Sequence, residues 1–125
     1  MKHYVFALLL LFSTKVFAIC GLSEQNEKLY IASNVMLFAD WQTTLDMTRY
    51  PKGTYDERGI VARALIGPTP SRGAINTYFF TRAVFNHVLA CNLSNTNATV
   101  YLLLTNMDHG SAVVNNYNIG LRIRF

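Results

Sequence analysis

The chain has 125 residues, of which 51% are hydrophobic and only 14% are charged, and its formal net charge is +4. This length indicates a single domain. The modest positive charge is not accompanied by a recognisable binding motif, which argues against nucleic acid as a partner. No residue pattern is typical of a catalytic, metal or cofactor site, so the sequence predicts a protein that is not an enzyme and needs no cofactor.

Residues 1–18 have the pattern of a secretory signal peptide. A short basic start precedes an unbroken apolar run over residues 5–12, and small or aliphatic side chains lead up to Ala18. Cleavage after Ala18 leaves one mature domain, residues 19–125. An uncleaved first membrane helix is the alternative interpretation, although the apolar run is short for a span.

Export implies an oxidising compartment, in which cysteines of a secreted chain can pair. The mature chain contains two cysteines, Cys20 and Cys91, which are therefore a candidate disulfide. The alternative is two unpaired thiols, with Cys91 acting as a small core residue. The sequence alone leaves both alternatives open.

Three segments have the length and composition of helices, namely residues 29–47, 74–93 and 98–117. Each has about the length of 20 residues that a helix needs to cross a bilayer. Residues 48–73 form a basic loop rich in glycine and proline, with a short helical turn predicted over residues 60–66. The expected fold is all-α, a three-helix bundle embedded in a membrane after the signal peptide is removed.

The basic residues favour one membrane orientation. The basic loop carries five of them and the tail carries Arg122 and Arg124, whereas the turn between the second and third helices carries none. With the mature N-terminus outside, three spans place every basic stretch in the cytoplasm, as the positive-inside rule requires. We therefore expect the bacterial inner membrane, with a periplasmic N-terminus and a cytoplasmic C-terminus. The expected partners are membrane lipid and another membrane protein or a second copy.

Two other locations stay open. Alternating residues from Tyr117 to Phe125 are also typical of the last strand of a small outer-membrane β protein. In addition, each predicted helix contains charged residues, and a charge at the centre of a membrane helix costs about 3 kcal/mol. A soluble helical binding module exported to the periplasm is therefore another interpretation.

Four polar residues would lie at one depth if the three helices spanned a membrane, namely Asp40, Arg82, Asp108 and His109. Arginine inside a membrane is normally paired. We therefore expect a buried cluster in which Asp40, Asp108 or both neutralise Arg82, with His109 as a proton-sensitive member. The cluster could relay protons or ions, but the favoured interpretation is that it holds the helices in register.

His87 and Cys91 lie one helical turn apart, which permits a Cys–His nucleophile pair, but the sequence offers no third residue to orient the histidine. His87 and His109 could also share a haem or metal ion. No ligand spacing typical of a metal site accompanies them, so no metal is predicted.

Three stretches resemble a loose family of small bacterial and phage proteins with signal peptides. They are DWQTT in the first helix, LIGPTPSRGAINTYFF entering the second, and NYNIGLRIRF at the C-terminus. The matching positions are Asp40, Gln42, Thr43, Gly67, Pro70, Asn76, Tyr78, Phe79 and His87. Arg63-Ala64 stand where the family pattern has Asn-Pro. This family has no assigned activity, so the resemblance implies an architecture and marks Gln42 and His87 as candidate functional residues.

The leading hypothesis is a small integral membrane protein that is structural or binds a partner. An ion or proton relay component is its rival. A soluble exported binding module or a small outer-membrane β protein is the further alternative.

Overall fold

The computed structural model describes residues 20–125, so the predicted signal peptide and the cleavage after Ala18 lie outside the described residues. The helices are α1 (Glu24–Asp46), α2 (Ile60–Ile66), α3 (Arg72–Asn92) and α4 (Asn95–Asn118), and a 3-10 turn, Met47–Arg49, follows α1. Residues 20–125 contain no strand, which confirms the all-α class for this part of the chain. None of these helices combines the length and the apolar character that a membrane crossing requires.

Each long helix begins after a serine that caps it. The Oγ atoms of Ser23, Ser71 and Ser94 accept hydrogen bonds from the backbone N–H three residues later, at 3.2, 3.2 and 3.4 Å. Such caps satisfy backbone donors that have no partner within the helix. The helices α1 and α4 therefore start before the predicted residues 29 and 98, because their first turns are polar and apolar content alone does not reveal them.

The long helices run up, down and up. Hydrogen bonds join Asn26 to Asn95 and Asp40 to His109, each across 69 residues of sequence, so α1 and α4 are parallel. Among the helices of residues 20–125, α1 and α4 have the most extensive contact. Gly110 lies in this interface, where the Sδ atom of Met36 is 4.0 Å from the position a Cβ would occupy. A Cβ here would make only an ordinary van der Waals contact, and α4 continues through Gly110 without interruption.

The interior is apolar near the α1 C-terminus. The ring of Trp41 lies 6.1 Å from that of Phe79, with only 4° between the ring planes, and the Trp41 Nε1–H donates to Asn76 Oδ1 at 2.9 Å. The residues buried in this core are Leu37, Leu45, Met47, Ile75, Phe79 and Leu121. Trp41 therefore serves both as a core residue and as a bridge between α1 and α3.

The interior is polar near the α1 N-terminus. Asn86 Nδ2 donates to Ser33 Oγ at 2.9 Å and to Asn34 Oδ1 at 3.1 Å. Asn26 Nδ2 donates to the Asn95 side chain at 2.6 Å, and Asn26, Ser33 and Asn86 are all buried. Because polar side chains occupy the helix interfaces here, many apolar side chains lie outside.

A disulfide joins Cys20, just before α1, to Cys91 in the last turn of α3, with 5.4 Å between the Cα atoms. The bridge closes a loop of 71 residues. In the chain-entropy model, such a loop stabilises the fold by about 4 kcal/mol because it restricts the unfolded chain.

The C-terminal tail turns back onto the end of α1. Gly120, with φ +100°, turns the chain after α4, and this lets Leu121 enter the apolar core. Residues 119–125 form no strand, so the alternating pattern near the C-terminus does not describe a β structure here.

Buried Asp46 holds the tail in this position. Its Oδ2 accepts a hydrogen bond from the Arg122 backbone N–H at 2.9 Å, and Arg124 Nε lies 3.0 Å from its Oδ1. The guanidinium of Arg122 lies over the Tyr117 ring, 5.0 Å from its centre. The sequence assigned Arg122 and Arg124 to the cytoplasmic end of a membrane helix, whereas here they bind within the protein.

We expect Asp46→Ala to lower the free energy of unfolding by about 2–3 kcal/mol, because it leaves the Arg122 N–H and the Arg124 guanidinium without their buried acceptor. Urea unfolding followed by circular dichroism measures the loss. Asp56→Ala, which removes an exposed loop carboxylate, is the control and should change stability by less than about 0.5 kcal/mol. Equal effects of the two substitutions would contradict this role of Asp46.

Candidate functional site

The predicted polar cluster, Asp40, Arg82, Asp108 and His109, comes together where α1, α3 and α4 meet. Asp40 Oδ2 lies 2.8 Å from His109 Nδ1. Arg82 Nη2 lies 3.3 Å from His109 Nε2 and 3.1 Å from Asp108 Oδ2. The four side chains therefore form one continuous chain of polar contacts in which the imidazole is central.

These contacts define the position of the His109 proton. A guanidinium only donates hydrogen bonds, so the Arg82 contact needs a lone pair on His109 Nε2. The ring proton then lies on Nδ1 and is donated to Asp40. Thr44 Oγ1 donates to the other carboxylate oxygen at 3.3 Å. Asp40 therefore accepts hydrogen bonds from both His109 and Thr44.

The centre of the cluster is shielded from water. Asp40 is 8% exposed and His109 is 2% exposed, and the Phe79 ring centre lies 6.3 Å from the His109 ring. Burial raises the pKa of Asp40 above its ordinary value, and the hydrogen bond from His109 opposes that shift. His109 is therefore the main group that favours ionisation of this buried carboxyl.

Asp108 differs from the sequence prediction, which placed it beside Asp40 in a buried cluster around Arg82. Its side chain is 68% exposed. Neighbouring positions on a helix point about 100° apart, and His109 takes the inward direction. Arg82 pairs with Asp108 directly, and it is connected to Asp40 through the His109 ring.

Two further titratable groups, which the sequence did not suggest, are affected by this cluster. Burial raises the pKa of Glu57, a hydrogen bond from the Gly59 N–H lowers it, and the charge of Asp40 raises it further. Burial also raises the pKa of Tyr78, while the charge of Arg82 lowers it. Tyr78 lies one helical turn before Arg82, so helical spacing could have identified it. Glu57 lies in the loop, where no periodic pattern applies.

The other candidate residues lie outside this cluster. His87 contacts Tyr30 and Cys91, whereas His109 contacts Asp40 and Arg82, so the two histidines belong to separate sites. Gln42 is half-buried and is not part of the chain of hydrogen bonds. Within residues 20–125, His, Cys, Asp and Glu form no group of three or more suited to a metal ion.

The four side chains contact one another in the order Asp40, His109, Arg82, Asp108. This order is poorly suited to relaying a proton. Arginine does not release its proton in proteins, and Arg82 separates the buried histidine from the exposed Asp108. His109 Nε2, the nitrogen that a general base would use, is occupied by Arg82. The geometry therefore favours the interpretation in which the cluster holds three helices in register.

An open apolar groove of about 640 Å³ lies between α2 and α3, and Arg82 borders it. Its lining includes Val61, Leu65, Ile66, Tyr78, Arg82 and Phe85. Several of these apolar side chains are exposed to solvent. Because its lining is largely apolar, the groove is a candidate site for an apolar ligand.

Comparisons with protein-family models, curated proteins and solved structures find no match to this chain. The resemblance to small bacterial and phage proteins stays a prediction.

We expect His109→Leu to lower the free energy of unfolding by about 2–3 kcal/mol, because Asp40 would lose its buried donor. The double variant Asp40→Leu, His109→Leu should recover much of that loss, since both polar groups are removed together. Asp108→Ala is the control, with an expected cost below about 1 kcal/mol for an exposed pair. The single variant Asp40→Leu completes the cycle, and a loss in the double variant equal to the sum of the two single losses would show that Asp40 and His109 do not depend on each other.

The raised pKa of Asp40 predicts a pH dependence with a definite sign. As pH rises through the ordinary value near 3.8, unfolded Asp40 ionises while folded Asp40 keeps its proton, so folding loses stability until the raised pKa is passed. Asp40→Asn removes this contribution. Urea unfolding from about pH 3.5 to about pH 7 should show the variant gaining stability relative to the wild type.

The matched control for that titration is Asp108→Asn, which removes the exposed carboxylate of the same cluster. A difference between wild type and Asp40→Asn that stays constant with pH, or shrinks as pH rises, would contradict the raised pKa.

Proposed function

We propose that this chain is a non-enzymatic helical protein of the cell envelope that binds an apolar segment of another protein. The binding surface is the groove between α2 and α3. One observation carries the proposal, which is that the large apolar side chains beside this groove are exposed although the chain has an apolar core elsewhere.

Several exposed apolar side chains lie at the groove. Leu65 is 70% exposed and Phe85 is 60% exposed, and Ile60 and Val61 are also exposed. Single apolar residues on a surface are common, whereas a contiguous set often marks a binding surface. The volume of about 640 Å³ lies within the range of roughly 300–1,000 Å³ that is usual for ligand-binding clefts.

The shape of the groove supports a peptide-like ligand. An open groove beside a long helix suits an amphipathic helix or an extended segment, whose apolar side chains enter it in series. Arg82 and Tyr78 lie along one side and offer hydrogen-bond donors that could orient such a segment. The absence of an enzymatic role is supported by His109, whose Nε2 is occupied by Arg82.

Membrane lipid is the second candidate for the partner that covers the exposed apolar side chains. Helices that pack in lipid bury polar side chains against one another and expose apolar ones. A similar distribution supports this candidate here, since Asn26 and Asn86 are buried while Phe80 and Leu104 are exposed. If lipid covers these side chains, we expect the predicted inner-membrane topology, with a periplasmic N-terminus and a cytoplasmic C-terminus.

Site-specific photo-crosslinking tests the groove directly. We expect a photoreactive residue at position 65 to give one discrete protein adduct in producing cells. The same residue at position 114 should give none, although the Val114 it replaces is also exposed, at 61%. With the probe at position 65, Phe85→Ser should abolish the adduct without lowering stability by more than about 0.5 kcal/mol, because an exposed side chain is changed. Equal adducts at both positions, or none at position 65, would contradict the groove.

A carbonate wash of cell membranes separates the two candidates. A protein held by a partner through the groove should be released by the wash, whereas a membrane-embedded bundle should remain in the pellet. Retention of the wild type together with lipid adducts at both positions would replace the groove proposal with the membrane candidate.

A further inference from the structure

The Cys20–Cys91 disulfide lies against an imidazole. Cys91 Sγ is 3.8 Å from Nε2 and 3.9 Å from Nδ1 of His87, one helical turn earlier on α3. The sequence offered no residue to orient this histidine, but the fold supplies one, because the Tyr30 hydroxyl lies 2.9 Å from His87 Nδ1. The Tyr30 and His87 rings meet edge to face, with centres 5.9 Å apart.

The Tyr30 contact directs a ring proton of His87 toward the sulfur. Burial raises the pKa of Tyr30, so its hydroxyl keeps its proton and can donate to His87 Nδ1. In a neutral imidazole the remaining proton then lies on Nε2, 3.8 Å from Cys91 Sγ. A histidine placed in this way can donate to a sulfur that acquires negative charge.

The two cysteines of the bridge differ in exposure. Cys20 is exposed, whereas Cys91 is half-buried. Cys20 also has φ +42°, in the left-handed region that residues with a Cβ disfavour. An incoming thiolate therefore meets Cys20 first, and breaking the bridge frees the Cys20 backbone to leave that conformation.

We propose that the Cys20–Cys91 bridge is a thiol–disulfide exchange site, at which a thiol of a second molecule attacks Cys20 and His87 assists the departure of Cys91. The incoming thiolate forms a new S–S bond with Cys20 Sγ, and the Cys20–Cys91 bond breaks. Cys91 leaves with the bonding electron pair as a thiolate, which accepts a hydrogen bond from His87 Nε2–H and takes up from water the proton that the incoming thiol released. The product is a mixed disulfide on Cys20 and a free thiol on Cys91, so no further oxidant or reductant is required.

His87 contributes by stabilising the leaving sulfur. Exchange is faster when the leaving thiol has a lower pKa, and a hydrogen bond donated to the thiolate form lowers the pKa of a cysteine. The direction of attack follows, because His87 can assist only the departure of Cys91. This site is independent of the groove and of the polar cluster.

The test uses the mature, oxidised protein with excess reduced glutathione as the thiol and iodoacetamide to trap the freed cysteine. Mass spectrometry of peptides should find glutathione on Cys20 and carbamidomethyl on Cys91. We expect His87→Leu to slow adduct formation by about tenfold. Tyr30→Phe should slow it by a smaller factor, because His87 stays but loses its orienting hydrogen bond. Val88→Ala, a neighbouring exposed position, is the control and should leave the rate unchanged.

The direction of the change in rate distinguishes loss of the proposed assistance from local unfolding. A variant that merely loosens the fold exposes the bridge and accelerates its reduction, whereas loss of the proposed assistance slows it. The urea midpoint of each variant is measured alongside the rate. Rates for wild type and His87→Leu that agree within about twofold, or glutathione found mainly on Cys91, would overturn the proposal.

Discussion

The bundle depends on hydrogen bonds between buried polar side chains along the interface of α1 with α3 and α4. A buried polar group without a partner costs more than a typical hydrogen bond contributes, so each such side chain restricts how the helices can pack. Asn26 meets Asn95 at one end, Asp40 meets His109 further along, and the Thr43 hydroxyl accepts from Asn116 Nδ2 at 2.8 Å. Sliding α4 along α1 would break all of these contacts together.

Polar residues occupy much of the helix interfaces, and many apolar side chains lie on the surface. Side chains that an ordinary soluble bundle would bury instead face outward on α2, α3 and α4, and the groove beside Arg82 is one result. The polar cluster and the groove therefore reflect the same distribution of polar and apolar side chains. Polar contacts in the interior restrict the arrangement of the helices, and exposed apolar side chains lie on the exterior.

The buried and exposed members of the polar cluster contribute differently. The Asp40–His109 contact lies out of water, where a missing partner is expensive, whereas the Arg82–Asp108 pair is largely solvated and contributes little. Arg82 matters chiefly because it occupies His109 Nε2 and so sets the tautomer that donates to Asp40. The same reasoning separates this histidine from His87, whose Nε2 faces a sulfur.

Much of the secondary structure could be predicted from the sequence, because helix formation follows local rules. The turn over residues 60–66 matches α2, and Ser71 followed by a run without proline marks the start of α3. The predicted starts of α1 and α4, residues 29 and 98, lie after the observed starts. The first turns of both helices are polar, so the apolar pattern of the sequence does not reveal them. The four residues of the polar cluster are predicted from their common depth along the three helices. Residues that contact one another across parallel or antiparallel helices lie at similar heights.

By itself, the sequence determined the all-α class, the identity of the polar cluster and the presence of two cysteines that could pair. Tertiary structure alone decided that Asp40 binds His109 and that Asp108 faces solvent, because the rotation of each helix about its axis depends on packing against its neighbours. It likewise brought Tyr30 of α1 to His87 of α3, across 57 residues. The tail also needed the tertiary structure, since Arg124 reaches Asp46 only after Gly120 turns the chain back. Contacts between residues so far apart in sequence follow no local periodicity, so the folded chain is needed to reveal them.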